Sequence, residues 1–274
     1  MPERVEEKLR TLRADDVPTA FQLSAQAGWN QTEEDWRMLL ELSPEGCLGI
    51  EVDGHLVATT TLFFYKRRLA WIGMVLTSPD YRRRGLAKKL LTHCLKQADR
   101  MGIETTKLDA TNQGQPLYEK FGFQPEQEIQ RWTRPGEGEA PPAASRTSAA
   151  EPGRALDSVA FGADRSSLLH RLAQRHPPIS VAESYLFSRP GRVTAYLGPC
   201  VSENSETARR VIEEYVQSTK CSWSWDLFPR NQGAVAIARD LGFSPQRHLV
   251  RMARGKDLRE RKDAIYAIAG FELG

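Results

Sequence analysis

The sequence predicts a mixed α/β fold that is built twice in tandem, and three observations lead to this prediction. An almost wholly apolar stretch, residues 69–76, runs through a basic turn into an amphipathic helix that begins near residue 86. Residues 109–114 (DATNQG) recur in weakened form at 226–233 (DLFPRNQG). A stretch with many turn-forming residues and no apolar periodicity, 135–153, lies between the two copies.

The first copy has the periodicities of a sheet packed against helices. Asp53-Gly54 separates two strand-like segments and is a strong signal for a two-residue hairpin. The segment 69–76 is typical of a strand that is buried on both faces. Gly102 stands where a helix C-cap is expected, after an apolar helical face formed by Leu86, Leu90, Leu91, Cys94, Leu95 and Ala98. In chain order, helices are predicted over 17–27, 35–42, from 86 onward and 115–121, and strands over 47–52, 55–65, 69–76, 106–110 and 127–133.

The second copy repeats the later part of the first. Residues 120–125 (KFGFQP) resemble 240–245 (DLGFSP), and each stretch is followed by a strand that carries basic and aromatic or Met residues. Two related folds are therefore more plausible than two unrelated ones. We predict domains over 1–134 and 154–274, joined by a flexible linker over 135–153.

The composition excludes several classes of function. The chain has 274 residues, 40% hydrophobic and 27% charged, which is ordinary for a globular protein. No apolar run is long enough to span a bilayer and the first residues are too charged for a signal peptide, so we expect a cytoplasmic protein without a membrane partner. A net charge of +3 is weak for a nucleic-acid binder. The four cysteines form no Cys-x-x-Cys pair, and no histidine cluster has ligand spacing, so neither a metal nor a disulfide framework is expected.

The basic turn between the apolar strand and the helix has the features of an anion site. Three arginines, 82–84, precede Gly85 and Ala87. Unpaired amides at a helix N-terminus, the helix dipole and cationic side chains all attract phosphate, and small residues let the backbone approach a diphosphate. Pro79 interrupts strand pairing, which leaves the backbone of 75–77 able to pair with an extended amide-containing arm. The alternative is a solvated basic loop that only caps the helix.

Two motifs in this copy resemble a known family. Arg-x-x-Gly-x-Ala at 82–87, after an apolar strand, resembles the acyl-CoA pyrophosphate signature of the GNAT superfamily of N-acetyltransferases. Asn112 followed by 117–123 (LYEKFGF) resembles the second half of that family's pattern. The two copies together resemble a subfamily in which a catalytic GNAT domain precedes a degenerate one. The resemblance implies two tandem domains, each with a mixed, mostly antiparallel sheet, helices on both faces and a splayed central strand pair.

The resemblance also implies a co-substrate and its contacts. Acetyl-CoA would be the acetyl donor, and the acceptor would be a primary amine on a small molecule or a peptide, acetylated by direct transfer. Backbone groups of Val75, Leu76 and Thr77 would contact the pantetheine arm. The other implied contacts are Arg82, Arg83, Arg84, Gly85, Leu86, Ala87, Lys88 and Asn112. The chain departs from the family pattern at 114–116 (GQP), where many members have an Ala-rich helix.

Acetyl transfer needs a neutral amine, a polarised carbonyl and a stabilised leaving thiolate. Tyr118 stands where the family usually has its acid tyrosine, and the alternative is a tyrosine that only packs its helix against the sheet. Asp109, at the end of a predicted strand, is a candidate base, and the alternatives are a helix cap and a base acting through solvent. Trp29 and Asn30 lie between the first two helices and are candidate acceptor contacts, because an aromatic ring beside acidic residues attracts a cationic amine. The alternative is a Trp that packs the helical hairpin.

The second copy lacks both chemical features. Ala238 stands where Tyr118 would recur, and the turn at 197–204 (LGPCVSEN) has no cationic side chain. We therefore expect one acetyl-CoA site, in the first copy, in a monomer or a homodimer. A non-catalytic acyl-CoA sensor and a structural tandem-GNAT protein remain as alternatives to the enzyme.

Overall fold

The computed structural model of the chain describes residues 6–138 and 154–274, which form two compact units divided between Lys107 and Leu108. The helices are α1 (Val17–Gln26), α2 (Glu33–Leu42), α3 (Leu86–Arg100), α4 (Gln115–Glu119), α5 (Arg154–Phe161), α6 (Ser166–Arg175), α7 (Ser205–Gln217) and α8 (Gln232–Asp240). The strands are β1 (Glu7–Thr11), β2 (Cys47–Val52), β3 (His55–Tyr65), β4 (Leu69–Thr77), β5 (Thr105–Ala110), β6 (Gln124–Arg134), β7 (Ile179–Val181), β8 (Ser184–Arg189), β9 (Ala195–Val201), β10 (Trp223–Leu227), β11 (Ser244–Gly255) and β12 (Ile265–Ala267). Within these described ranges, no helix combines the length and the apolar character that a membrane span requires.

The first unit contains a sheet in the order β1–β2–β3–β4–β5, antiparallel except for the parallel pair β4–β5. The predicted hairpin is confirmed, because Val52 lies opposite His55 and the two turn residues Asp53 and Gly54 have φ of 49° and 79°. Two consecutive residues with positive φ form the turn type whose twist matches that of the flanking strands. The segment 69–76 is a buried strand, as its composition predicts.

Helix α3 packs on this sheet through the predicted face. Leu86, Leu90, Leu91, Cys94, Leu95 and Ala98 are all buried. Removing a leucine side chain from water contributes roughly 1.5–3 kcal/mol, so this apolar face fixes the helix on the sheet. Gly102 follows the helix with φ of 66°, the left-handed conformation that the C-cap position favours in glycine.

The second unit contains the end of β5, residues 108–110, followed by strands of both sequence copies in the order β11–β6–β10–β9–β8–β7, with β12 on the side of β9. Strand β6, from the first copy, pairs antiparallel with β10, from the second. Strand β11, from the second copy, lies between β5 and β6 of the first. Each copy therefore supplies its last long strand to the sheet of the other. The mixed fold in two tandem domains is as predicted, whereas this exchange is not visible in the sequence, because alternation shows which face of a strand is buried and not which strand lies beside it.

The beginning of the predicted linker is held by the second copy. The Gly136 N–H donates to Ser222 Oγ at 3.0 Å, and this hydroxyl donates to the Gly136 carbonyl at 3.2 Å. Residues 139–153, most of the predicted linker, lie outside the described residues. The domain boundaries given above stay a prediction, and the compact packing divides the chain earlier because β6 pairs with β10 and β11.

Candidate active site

The basic turn of the first unit is a preformed anion site in its backbone geometry. Arg83 and Gly85 have φ of 63° and 80°, so two left-handed residues alternate just before α3. Such an alternation turns successive amides toward one concave side. Gly85 is the N-cap residue, and no side chain caps the helix there. Lys89 makes the first bond within the helix, to the Gly85 carbonyl at 3.1 Å, and among the described residues the amides of 86–88 have no acceptor.

The side chains of the turn are exposed and differ in how they are held. The Arg84 guanidinium lies 4.7 Å from the centre of the Tyr81 ring and donates to the Asp80 carbonyl at 3.2 Å. Arg82 Nε donates to the Thr77 carbonyl at 3.4 Å, which links the turn to the end of β4. Leu86 is buried and anchors the first turn of α3, and Ala87 is half-buried. No acidic group in the described part of the chain pairs with Arg83 or Lys88, so both charges are available to a phosphate.

Among the strands that the structure describes, none pairs with the β5-facing edge of β4 over the residues where the sequence predicts the pantetheine contacts. Its parallel pairing with β5 is confined to residues 69–71, opposite 105–107. The stretch 75–77 pairs on its other side with β3, where Leu76 lies opposite Thr59. The change occurs at Met74, which has φ of 48° and whose carbonyl accepts a bond from Thr59 Oγ1 at 3.0 Å. A left-handed residue other than glycine costs roughly 1–2 kcal/mol, so the surrounding pairing must hold Met74 in place.

The candidate acceptor residues lie in the connection between α1 and α2. Gly28, with φ of 74°, ends the first helix, and the next amide, of Trp29, donates to the Ser24 carbonyl at 2.9 Å. Trp29 is half-buried and Asn30 is buried. Thr32 then caps α2 by accepting from the Asp35 amide at 3.2 Å. The connection is therefore held by local bonds, and an acceptor role for Trp29 and Asn30 stays a prediction.

Tyr118 lies on α4, in the second unit. Its carbonyl accepts from the amides of Phe121 and Phe123 at 2.9 and 3.3 Å, and its ring meets the Phe123 ring edge-on with centroids 6.2 Å apart. Burial alone raises the pKa of the Tyr118 phenol to about 12, so the group is protonated at neutral pH. Its hydroxyl makes no hydrogen bond within residues 6–138 and 154–274 and is free to donate to a ligand. Asn112 is exposed in the turn before α4.

Asp109 is engaged in a buried ion pair. Its carboxylate accepts two bonds from Arg251, from Nε and from Nη2, each at 2.9 Å. The side chains of Asp109 and Arg251 are 0% and 1% exposed, and the guanidinium also lies 4.8 Å from the centre of the Phe228 ring. A carboxylate held by two charge-assisted bonds is a weak base, because proton uptake would break them. The assignment of Asp109 as general base stays a prediction, and this geometry weighs against it.

The same ion pair occurs a second time, with the copies reversed. The two carboxylate oxygens of Asp226 in β10 accept from Nε and Nη2 of Arg131 in β6, each at 2.7 Å. Asp109 and Asp226 begin the repeated motif, and Arg131 and Arg251 lie at matching positions of the exchanged strands. The aspartate of this motif therefore forms a buried ion pair in both copies, including the copy that has Ala238 in place of Tyr118. The sequence analysis did not identify the roles of Arg131, Arg251 or Met74. The basic residues that it noted in the last strand of each copy were the available signal for the two arginines.

Both copies of the repeat match family models of known proteins. Residues 9–123 match the Acetyltransferase (GNAT) family, and residues 154–267 match an Acetyltransferase (GNAT) domain. An uncharacterized N-acetyltransferase of Bacillus subtilis, YitH, is 29% identical over 227 residues, which are 76% of this chain and 77% of the relative.

Two solved structures have a similar fold. An acetyltransferase candidate from Pyrococcus horikoshii has a TM-score of 0.84 at 23% identity, over 98% of this chain and 96% of its own. A GCN5-related N-acetyltransferase from Sphaerobacter thermophilus has a TM-score of 0.65 at 16% identity, over 95% of this chain and 99% of its own. At these identities the two structures bear on the fold alone.

Proposed function

The chain belongs to the GNAT acetyltransferase family, with two GNAT domains in tandem, and we propose that it transfers an acetyl group from acetyl-CoA directly to a primary amine. One observation carries the proposal. The first unit presents an uncapped helix N-terminus, entered through two left-handed residues, beside a strand edge that is open over 75–77. The bond from Arg82 to the Thr77 carbonyl joins these two features in a single surface.

This surface fits the parts of acetyl-CoA in order. A diphosphate needs convergent N–H donors and positive charge, which the amides of 86–88 and the exposed arginines supply. The pantetheine arm contains two amides, which pair with an open strand edge as an added strand does. The proposed contacts are Val75, Leu76, Thr77, Arg82, Arg83, Arg84, Gly85, Leu86, Ala87, Lys88 and Asn112. Gly85 is suited to this position by its φ of 80°, which strains residues that carry a side chain; space is not the constraint, since a Cβ there would meet no atom within 4 Å.

In the proposed reaction, the neutral amine attacks the thioester carbonyl, the new C–N bond forms and the C–S bond breaks. A backbone N–H on the open edge of β4 polarises the carbonyl oxygen. Tyr118 donates a hydrogen bond to the departing sulfur. Because a thiol has an ordinary pKa of about 8.5, full proton transfer from a phenol of pKa about 12 is uphill. We therefore assign Tyr118 to stabilising the thiolate as a donor, while solvent completes its protonation.

The proton lost by the amine goes to a base acting through solvent, because the Asp109 carboxylate is occupied by Arg251. The same ion pair favours a second candidate function. If no group accepts the proton of the amine, the chain is a sensor that binds acyl-CoA and catalyses nothing. Both functions need the same cofactor surface, and they differ only in turnover.

The acceptor is proposed to be an amine on a small molecule or a peptide, which enters near Trp29 and Asn30. The four cysteines, all within the described residues, are buried and unpaired, which supports a reducing cytoplasmic setting. No group of three or more His, Cys, Asp or Glu side chains in the described part of the chain is arranged to hold a metal ion. The proposed chemistry uses none.

Calorimetric titration with acetyl-CoA tests the proposal first, and saturable binding is the expected result. The absence of heat would remove both the enzyme and the sensor. Release of free thiol is then followed with a panel of amines, including amino-acid derivatives, aminoglycosides and peptides with free N-termini. Release above the rate without an amine identifies the enzyme, whereas binding without release across the panel identifies the sensor.

A further inference from the structure

The second copy contains a strand cleft that matches the acetyl-CoA cleft of the first. Strands β9 and β10 are parallel and pair only over 195–197 and 223–225, as β4 and β5 pair only over a short stretch. The tetrapeptide 70–73 (AWIG) of β4 corresponds to 195–198 (AYLG) of β9. Residues 200–202 therefore stand where 75–77 offer their open edge in the first copy.

In the second copy this edge is filled by the chain itself. We define residues 264–274 (AIYAIAGFELG) as the closing segment. Its strand β12 pairs antiparallel with β9, with Ile265 opposite Val201 and Ala267 opposite Cys200. The Ser202 amide donates to the Ala264 carbonyl at 2.9 Å. On the other side of the cleft, the Ile268 amide donates to the Asp226 carbonyl of β10 at 3.1 Å.

The closing segment is tightly seated. Trp225 Nε1 donates to the Tyr266 carbonyl at 2.8 Å, and Arg189 Nη2 donates to the Ala269 carbonyl at 2.8 Å. A Cβ on Gly198 would lie 2.2 Å from the Ile268 carbonyl oxygen, so the segment approaches β9 as closely as a glycine allows. Ile268 and Ala269 are fully buried. These contacts leave no room for a second extended chain in the cleft.

The helix end beside this cleft is closed as well. Asn204 is the N-cap residue of α7, and its side-chain oxygen accepts from the Thr207 amide at 2.9 Å. In the first copy the equivalent position of α3 is Gly85, which has no side chain to offer. The strand edge and the helix N-terminus of the second copy are thus both satisfied by protein groups.

We propose that the closing segment is an internal occupant of the second cleft, seated where a pantetheine arm lies in the first. The chain then offers acetyl-CoA a single cleft, and the second copy keeps its fold because its own backbone replaces the ligand. The comparison with pantetheine rests on the proposed function, whereas the occupancy of the second cleft rests only on the bonds of the closing segment.

A disulfide lock in the full-length chain tests this inference. Ala267→Cys places a thiol opposite the native Cys200, and directly opposed residues of antiparallel strands have Cα atoms about 4.5–5.5 Å apart, within disulfide range. We expect oxidation to give a cross-link between positions 200 and 267, mapped by mass spectrometry. Ala236→Cys, on the exposed face of α8, is the control and should give no cross-link to Cys200.

Locked and unlocked chains should each bind one acetyl-CoA, with dissociation constants and thiol release within twofold of each other. A cross-link that lowers the bound acetyl-CoA from two to one would overturn the inference, because the second cleft would then have been vacant. A folded variant that forms no cross-link would also overturn it.

Hydrogen exchange of the unmodified chain covers the case in which the variant fails to fold. The Ile268 amide should exchange at least 100-fold more slowly than amides of exposed residues, and equal rates would overturn the inference. Failure of the unlocked chain to bind any acetyl-CoA would instead reject the proposed function. In that case the cross-link and the exchange rate still decide whether the segment occupies the cleft.

Discussion

The buried pair between Asp109 and Arg251 gives a quantitative prediction. Arg251→Met keeps most of the apolar volume of the side chain but removes both bonds to a carboxylate that is 0% exposed. Breaking a buried pair from one side typically costs about 3–5 kcal/mol, since a buried charge loses its compensation. For a domain of this size each kcal/mol corresponds to roughly 2–4 °C, so the thermal midpoint should fall by roughly 6–20 °C.

The double variant separates the value of the pair from the cost of leaving one charge behind. Asp109→Leu combined with Arg251→Met removes both charges and should restore the free energy of unfolding to within about 1–2 kcal/mol of the wild type. Arg131→Met at the equivalent pair with Asp226 is the matched control, and it should be destabilising to a similar degree. Urea unfolding followed by tryptophan fluorescence measures all four proteins, and thiol release at saturating substrate measures turnover.

Two results would refute this reasoning. If Arg251→Met lowers the free energy of unfolding by less than about 1 kcal/mol, the pair is not compensating a buried charge in the way described. If Asp109→Asn keeps its stability but loses turnover, Asp109 is the general base after all. A stable double variant with normal turnover would assign the proton of the amine to solvent.

The remaining predictions concern the proposed transfer site. Tyr118→Phe should lower turnover about 10²- to 10³-fold, because it removes one hydrogen-bond donor to the departing sulfur. The dissociation constant for acetyl-CoA should stay within twofold, since that contact forms only as the sulfur leaves. Unchanged turnover in the steady-state assay withdraws the donor assignment. The Tyr118 phenol has a pKa of about 12 and therefore keeps its proton as the pH rises to 10. Any decline in turnover on the basic side of the pH profile should therefore be the same in the wild type and in Tyr118→Phe. Arg84→Glu should weaken acetyl-CoA binding roughly 10- to 100-fold by calorimetry, since it replaces a phosphate-attracting charge by a repelling one. Glu203→Lys, in the turn of the second copy, is the control and should change acetyl-CoA binding by less than about twofold. Equal effects of the two variants would show that the cofactor site has been assigned to the wrong copy.

The local features of the first copy could be predicted because each depends on neighbours in the sequence. The Asp53-Gly54 turn, the buried strand β4 and the apolar face of α3 follow from the conformational preference of a dipeptide or from a period of two or 3.6 residues. The uncapped N-terminus of α3 could also be predicted, because Gly85 at the N-cap position has no side-chain acceptor. Strand β1 was not predicted, since an exposed edge strand of five residues has little alternation of apolar and polar side chains.

The sequence alone determined the family and the tandem repeat, and it predicted the proposed cofactor turn, because these features are encoded by residue type and spacing along the chain. Only the tertiary structure decided which strands are neighbours. It put β11 beside β5, so that Asp109 meets Arg251 instead of standing free, and it seated the closing segment against β9. Partners far apart in the chain are selected by the packing of a whole sheet, and no local pattern of residues records that choice.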